Sequence, residues 1–452
     1  MQKYKAITLR NFREIPQIET FLTEEEKLNI EIVGNVLPFK ANNYVVNQLI
    51  DWDNYQNDPI YTLTFPQKEM LKPNHFKEMA DAIMGGAMKA EIKLIAHKIR
   101  LQLNPNPAGQ MDDNLPVLDN IKLTGIQHKY RETMLFFPSQ GQTCHAYCTF
   151  CFRWPQFVGM NELKFAMRDI DLMTKYLKSK PSITDILFTG GDPLIMRTKG
   201  LASYLEALID ADIPNLKTIR LGSKALTYWP QRFVTDEDSD ELLMVFEKAK
   251  KAGIHIAFMA HINHPNELNT PIVKKAVDRI LNSGATIRTQ SPLMRNINDK
   301  AEIWASMWQK QVELGCIPYY MFLARDTGAQ DYFAVTLQNA WQIYQKAYQR
   351  VSGIARTVRG PSMSAGPGKV HILGISEVAG KKVFVLQFIQ GRNPDWVARP
   401  FFARYDPNAI WLDDLYPAFE KSKFFFEEEY PLKRKKPQPN KIRSEAGLKL
   451  LF

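Results

Sequence analysis

The chain of 452 residues is 45% hydrophobic and 23% charged, and it carries a formal net charge of +10. This length allows one large α/β domain with extensions or two domains, and the composition excludes a collagen-like, disordered or disulfide-rich protein. No apolar run approaches the ~20 residues of a membrane helix, and the charged N-terminus lacks the apolar segment of a secretory signal. We therefore expect a cytoplasmic protein without a membrane partner.

The first 130 residues have the pattern of a mostly helical region. The run TEEEK at 23–27 predicts a capped helix start, and the segment from Phe76 to Leu101 has helical spacing of its apolar residues. A run rich in Pro, Asn and Gly at 104–116 then predicts a loop.

Six short, β-rich apolar runs follow and alternate with helical patterns. They lie at 134–137, 183–190, 216–223, 255–262, 285–293 and 316–323. Such alternation predicts an α/β fold with a parallel sheet covered by helices, although it leaves a reversal of strand order open. Polar residues and glycines recur just past the strand ends, where barrel enzymes carry their chemistry. The sequence thus predicts a partial (βα)6 barrel over 131–335, with an N-terminal helical region over 1–130 and a C-terminal extension over 336–452.

Part of the positive charge lies in a proline-bearing C-terminal tail. The tail contains Lys433, Arg434, Lys435 and Lys436. A short basic tail is usually a solvated extension, and contact with nucleic acid or an acidic partner is the alternative. Because the tail lacks interleaved aromatic residues and a known binding module, we do not expect nucleic acid as a partner.

Three of the four cysteines, Cys144, Cys148 and Cys151, fall within eight residues in GQTCHAYCTFCFRW. Clustered thiols indicate a metal or redox site. Three thiolates on one tight loop can bind three irons of a [4Fe–4S] cluster, which leaves the fourth iron open to chelate S-adenosylmethionine (SAM). Zinc is the alternative, but it needs a fourth ligand, for which the adjacent His145 is badly placed. We expect Cys316, in the strand-like run CIPYYMFL, to be a small buried hydrophobe.

The spacing Cys-x3-Cys-x2-Cys, with Phe150 before the last cysteine, resembles the signature of the radical SAM superfamily. The runs IRLGSKALTYWPQR, HINHPNEL, TQSPL and IPYYMF follow in an order that resembles the lysine 2,3-aminomutase family, over roughly residues 30 to 375. The resemblance implies an aminomutase that uses pyridoxal 5′-phosphate (PLP) and moves the α-amino group of an amino acid to its β-carbon. It also implies an electron donor such as flavodoxin or ferredoxin, and a homo-oligomer.

The resemblance assigns residues to the SAM site. Gly190, Gly191 and Asp192, at the end of the second strand, match the motif that receives the amino group of SAM. Glycines at a strand end also let a ligand approach the backbone closely. His261 and Gln290 match positions that line the SAM site, although each could equally be a satisfied polar residue at a strand end.

A PLP site is implied by the run SAGPGK, in which Lys369 matches the PLP lysine. A lysine amine can form a Schiff base, whereas such a run by itself is more typical of a turn with a solvated lysine. Tyr130 matches the tyrosine that contacts the PLP ring. The phosphate-binding arginine falls on Thr133, so Arg131 or Lys129 is expected to replace it.

The substrate site departs most from the family. Arg153 matches the arginine that pairs with the substrate carboxylate. The two carboxylates that bind the distal ammonium of lysine fall on Arg325 and Ser362, and Asp326 follows the first. The loss of both acids predicts a glutamate-like substrate, whereas a one-residue shift that keeps Asp326 predicts lysine. The remaining alternatives are a PLP-independent radical SAM enzyme that modifies protein or RNA, and a non-enzymatic metal-binding module.

Overall fold

The computed structural model describes residues 3–104, 114–160 and 165–432. The basic tail predicted at Lys433 to Lys436 lies outside these residues. Within the described part of the chain, no helix is long and apolar enough to cross a membrane.

Among its described residues, the N-terminal region has five α-helices and two small strand pairs. The helices are α1 Pro16–Phe21, α2 Glu24–Val36, α3 Pro59–Thr64, α4 Pro73–Met84 and α5 Lys89–Leu103. The strands are β1 Ala6–Ile7, β2 Ala41–Asn42, β3 Val117–Leu118 and β4 Ile121–Lys122. The predicted cap is confirmed, because the Thr23 hydroxyl accepts from the N–H of Glu26 while the Glu26 carboxylate accepts from the N–H of Thr23.

The apolar spacing from Phe76 to Leu101 does not produce one continuous helix. The segment forms most of α4 and α5, which are separated by Gly85 and Gly86. Gly86 takes a φ of +70°, a left-handed conformation that ends helices and that glycine adopts without steric cost. Two consecutive glycines therefore interrupt a pattern that apolar periodicity alone predicts to be continuous.

An eleven-stranded sheet forms the centre of the molecule, with its strands side by side in chain order. They are β5 Ile126–Tyr130, β6 Thr133–Phe136, β7 Asp185–Phe188, β8 Thr218–Ser223, β9 His255–His261, β10 Thr286–Leu293, β11 Ile317–Leu323, β12 Arg359–Ser364, β13 Gly368–Val378, β14 Lys381–Gly391 and β15 Pro400–Arg404. Neighbours from β6 to β11 are parallel, which confirms the six predicted strands.

Helices connect successive parallel strands. They are α6 Ile170–Lys178, α7 Thr198–Asp210, α8 Ala225–Tyr228, α9 Gln231–Val234, α10 Ser239–Lys251, α11 Pro271–Asn282, α12 Ala301–Glu313, α13 Gln330–Phe333 and α14 Leu337–Gln349. Each connection from β6 to β11 leads to the next strand along the sheet. The strand order therefore never reverses, whereas it does reverse in a doubly wound sheet. This winding confirms the predicted partial (βα)6 barrel.

The C-terminal extension continues the same sheet. Strand β12 pairs parallel with β11, and β12 to β15 then pair antiparallel. The chain after β15 folds back, and Phe426 packs within 6 Å of the rings of Phe388, Trp396 and Phe401. This aromatic packing brings the last described residues, up to Leu432, to the mouth of the barrel.

Candidate active site

A cavity of about 450 Å³ lies at the carboxyl ends of the parallel strands, and every strand from β6 to β11 contributes to its wall. Parallel strands place these ends at one edge of the sheet, so residues from distant parts of the chain meet there. The predicted residues that line it are Tyr130, Cys144, Cys148, Cys151, Arg153, Gly190, Gly191, Asp192, His261, Gln290, Arg325, Asp326 and Lys369.

Two predicted residues are not brought to this cavity. Arg131 is exposed after the end of β5, and the cavity is lined by Lys129 instead. Ser362 is fully buried within β12, where its hydroxyl donates to the carbonyl oxygen of Met321 at 3.4 Å. Ser364, at the end of β12, lines the cavity. Of β12, the cavity is therefore lined by the end of the strand and not by Ser362.

The N-terminal region holds the loop that carries the three clustered cysteines. The N–H of Tyr147 donates to the carbonyl oxygen of Lys40 at 2.7 Å, and the N–H of Thr149 donates to that of Leu63 at 2.9 Å. These two bonds fix the backbone between successive cysteines from outside the barrel. The helical region is therefore part of the framework of the site.

The three clustered thiols fit an iron–sulfur cluster by their chemistry. The pKa of each thiol is raised, mainly by burial, and reaches about 12 for Cys148 and about 11 for Cys151. A buried thiolate therefore needs a nearby cation to offset its lost hydration. In the described part of the chain, no three His, Cys, Asp or Glu side chains are close enough to hold a single metal ion. A cluster does not need that arrangement, because each thiolate binds its own iron.

The two glycines after β7 have a packing role that the sequence did not reveal. A Cβ atom on Gly191 would lie 2.3 Å from the carbonyl oxygen of Thr143, and one on Gly190 would lie 2.2 Å from the side-chain nitrogen of Gln142. Gly190 also takes a φ of +141°. The glycines thus let the cysteine loop pack against the end of β7, besides lining the cavity.

Asp192 connects the ends of β7 and β8. Its carboxylate accepts from the hydroxyl of Ser223 and from the N–H of Lys224, both at 2.9 Å, and burial raises its pKa. The Lys224 ammonium in turn forms a buried ion pair with Glu267 at 2.7 Å. Sequence analysis did not single out Lys224 or Glu267, because each lies within a run that was noted only for its resemblance to the family.

Lys369 lies on β13 and not in a loop. It pairs across the hairpin with Ser364, and its ammonium donates to the side-chain oxygen of Gln390 at 2.8 Å. The same nitrogen lies 4.5 Å from the ring centroid of Tyr320 and 5.6 Å from that of Tyr130. The amine is therefore held among aromatic faces inside the cavity.

The surroundings of Lys369 favour its neutral form. Burial, which has the largest effect, and the charges of Arg220 and Arg359 together lower the pKa of Lys369 to about 7. A lysine amine is nucleophilic only when it is neutral, so this side chain can attack an aldehyde near neutral pH.

Two guanidinium groups that line the cavity lie near the Phe152 ring. The guanidinium carbon of Arg153 is 5.2 Å from its centroid, and that of Arg325 is 4.9 Å away. Burial lowers the pKa of both, and for Arg153, whose pKa falls to about 9, the charge of Arg325 contributes. Both remain cationic at neutral pH and suit carboxylates. Asp326 lines the cavity beside them.

Comparison with known proteins supplies the context for this site. No known protein-family profile matches the chain. A protein of Aquifex aeolicus named "Putative L-lysine 2,3-aminomutase" is 31% identical over 408 residues, which cover 90% of this chain and 94% of that protein. The L-lysine 2,3-aminomutase of Methanococcus maripaludis is 25% identical over 374 residues, 82% of this chain and 75% of that protein. Among solved structures, native anSMEcpe with bound AdoMet is 13% identical, covers 48% of this chain and 59% of its own, and has a TM-score of 0.35.

Lys369 and the three clustered thiols share one cavity at the mouth of a parallel barrel. This arrangement defines the class of the protein as an enzyme with a partial-barrel fold. The similarity to the Aquifex protein extends over nearly the whole of both chains. The chain belongs to the lysine 2,3-aminomutase family of radical SAM enzymes, which are isomerases. The cofactors of this family are a [4Fe–4S] cluster, SAM and PLP.

Proposed function

We propose that the chain is a PLP-dependent 2,3-aminomutase that moves the α-amino group of a free amino acid to its β-carbon. The observation that supports this most is that Lys369 and the three clustered cysteines line the same cavity. When bound, the cluster and SAM supply a radical that removes a hydrogen atom from the substrate, and PLP carries the migrating amino group. These steps require both cofactor sites to face one enclosed space.

The roles of the residues follow from their places in the cavity. We assign Lys369 to PLP and Arg153 to the substrate carboxylate. The cluster ligands would be Cys144, Cys148 and Cys151, and the residues beside SAM would be Gly190, Gly191, Asp192, His261 and Gln290. His261 is suited to a neutral contact, because burial and the charge of Lys224 lower its pKa to about 3.

The walls near Lys369 fit a flat aromatic cofactor. Tyr320 and Phe322 stack with their ring centroids 4.7 Å apart, and the Lys369 nitrogen lies 5.8 Å from the centroid of Phe322. Such rings bind a pyridine face and exclude water from it. Exclusion of water protects a radical from side reactions.

We further propose that the substrate is an amino acid with a distal acidic group, as in glutamate. Arg153 and Arg325 both lie near the Phe152 ring, and each offers a guanidinium to one of two carboxylates. Lysine is the second candidate, because Asp326 also lines the cavity and could bind a distal ammonium.

Reduction of the cluster requires an external one-electron donor, and we propose flavodoxin or ferredoxin for this role. A homo-oligomeric state and a cytoplasmic location remain predictions from the sequence.

The absorption spectrum of the anaerobically reconstituted protein tests the proposal. We expect cluster absorption together with the visible band of lysine-bound PLP. Reduction with borohydride and peptide mapping should then find the pyridoxyl group on Lys369. The variant Lys369→Ala should lose the band, whereas Lys382→Ala, on the exposed start of β14, should keep it. Cluster absorption without bound PLP would instead favour a PLP-independent radical SAM enzyme.

A further inference from the structure

A buried polar network joins the carboxyl ends of four neighbouring strands, β7 to β10, beside the cavity. Its centre is Lys224, whose backbone N–H donates to the carboxylate of Asp192 after β7. The Lys224 ammonium donates to the side-chain oxygens of Glu267 at 2.7 Å and Asn263 at 2.8 Å, and to the carbonyl oxygen of His261 at 3.2 Å. An ammonium has three N–H groups and no acceptor, so these three bonds use all of its donors.

The ammonium fixes the orientation of the Asn263 amide. Because Lys224 can only donate, the amide oxygen must face it and the amide nitrogen must face the other way. That nitrogen lies 2.9 Å from the hydroxyl oxygen of Ser291, on β10, and 3.3 Å from Nε2 of His261. The Ser291 hydroxyl gives its own hydrogen to the carbonyl oxygen of Pro292 at 3.0 Å, so it accepts from Asn263. The two N–H groups of the amide therefore point at Ser291 and at Nε2 of His261.

The same arrangement fixes the tautomer of His261. Burial, and to a smaller extent the charge of Lys224, lower the pKa of this ring to about 3, so it is neutral at physiological pH. Since Nε2 accepts from Asn263, the single ring proton must lie on Nδ1. Within the described residues, no protein group accepts a hydrogen bond from Nδ1. His261 lines the cavity, so its N–H is available to a ligand there.

We propose that His261 donates a hydrogen bond from Nδ1 to SAM, and that Lys224 and Asn263 are positioning residues that hold it in this tautomer. The inference rests on the assignment of His261 to SAM in the proposed function. The ribose hydroxyls, the adenine ring nitrogens and the carboxylate of SAM all accept hydrogen bonds. A neutral donor suits this ligand, because a protonated ring would place a second positive charge near the sulfonium. The Phe150 ring packs edge-on against His261 at 5.5 Å between centroids, so the histidine adjoins the cysteine loop.

The network holds the histidine before any ligand binds. The backbone N–H of Asn263 donates to the second carboxylate oxygen of Glu267 at 3.0 Å. The Asn298 amide donates to the carbonyl oxygen of Asn263 at 2.9 Å and to that of Pro292 at 3.1 Å. Asn263, Glu267 and Asn298 are all fully buried. A buried network whose members are satisfied is rigid, and a preorganised donor loses less entropy when its acceptor arrives.

Two substitutions of His261 separate the contributions of its nitrogens. The amide nitrogen of His261→Asn can take the place of Nδ1, whereas the longer side chain of His261→Gln keeps an acceptor for Asn263 near the place of Nε2 and provides no donor at Nδ1. The affinity for SAM is measured by equilibrium dialysis on cluster-loaded protein, with iron content as the control for an intact cysteine loop. We expect His261→Asn to bind SAM within about threefold of the wild type. His261→Gln should bind about five- to a hundredfold more weakly, because an acceptor of SAM then lacks its donor.

Asn263→Asp tests the positioning role at pH 8. A carboxylate only accepts, so Nε2 must then carry the ring proton, and we expect the same loss of SAM affinity as in His261→Gln. The control is Asn269→Asp, which makes the same change at an exposed position where the side chain accepts from Lys310. It should leave the affinity for SAM unchanged.

Wild-type affinity of His261→Gln or of Asn263→Asp for SAM overturns the inference. An equal loss in His261→Asn and His261→Gln also overturns it, since that pattern indicates a purely structural role. If Asn263→Asp fails to hold iron, the comparison of the two His261 variants decides alone. Absence of SAM binding by the cluster-loaded wild type overturns the proposed function itself, and this inference with it.

Discussion

Replacement of Arg325 should change which amino acid the enzyme accepts. Its guanidinium lines the cavity, with the guanidinium carbon 4.9 Å from the Phe152 ring centroid and that of Arg153 5.2 Å from it. A distal ammonium about 4 Å from this charge would be repelled by about 4 kcal/mol at an effective dielectric constant near 20. That energy corresponds to roughly a thousandfold in kcat/KM. The charge of Asp326, which opposes that of Arg325, makes this value an upper limit.

The assay supplies lysine and glutamate separately to the reconstituted enzyme and measures the β-amino acid formed from each. We expect the wild type to prefer glutamate, Arg325→Gln to lose most of that preference, and Asp326→Asn to change it little. The visible band of bound PLP controls for an intact site. Efficient turnover of lysine but not glutamate by the wild type, abolished in Asp326→Asn, would refute the reasoning and identify Asp326 as the side-chain contact.

Three further predictions concern the framework of the site. Cys148→Ala, like replacement of either other cluster ligand, should abolish cleavage of SAM to 5′-deoxyadenosine, whereas Cys316→Ala, which alters a buried apolar site, should retain it; cleavage by the first variant would contradict the assignment. The rate at which PLP bonds to Lys369 should rise with pH and be half-maximal near pH 7, because burial and neighbouring positive charges lower the amine pKa to about 7; a midpoint near 10 would contradict this. Gly191→Ala should lower the free energy of unfolding by about 1–3 kcal/mol and reduce the iron bound, since the new Cβ would lie 2.3 Å from the carbonyl oxygen of Thr143. Unchanged denaturant stability and iron content would show that the loop yields without cost.

The sequence by itself determined those features that depend on neighbouring residues. The six parallel strands were predicted because alternation of apolar runs and helical patterns is a local property of the chain. The capped start of α2 follows from Thr23 and Glu26, which are three residues apart. The prediction of Cys316 as a buried hydrophobe is confirmed, since it is 3% exposed. The cysteine spacing likewise indicated the class of chemistry.

Tertiary structure decided which side chains reach the cavity. The second carboxylate position of the family fell on Ser362, whereas Ser364 lines the cavity, because a match along the chain does not show where β12 ends. The contact of Lys129 with the carbonyl oxygen of Ala365 was also beyond prediction, since the two residues lie 236 positions apart. Arg392 donates to the neighbouring carbonyl oxygen of Gly366 only because the extension adds strands to the barrel sheet. The low pKa of Lys369 has the same origin, because burial and the charges of distant residues exist only once the chain is folded.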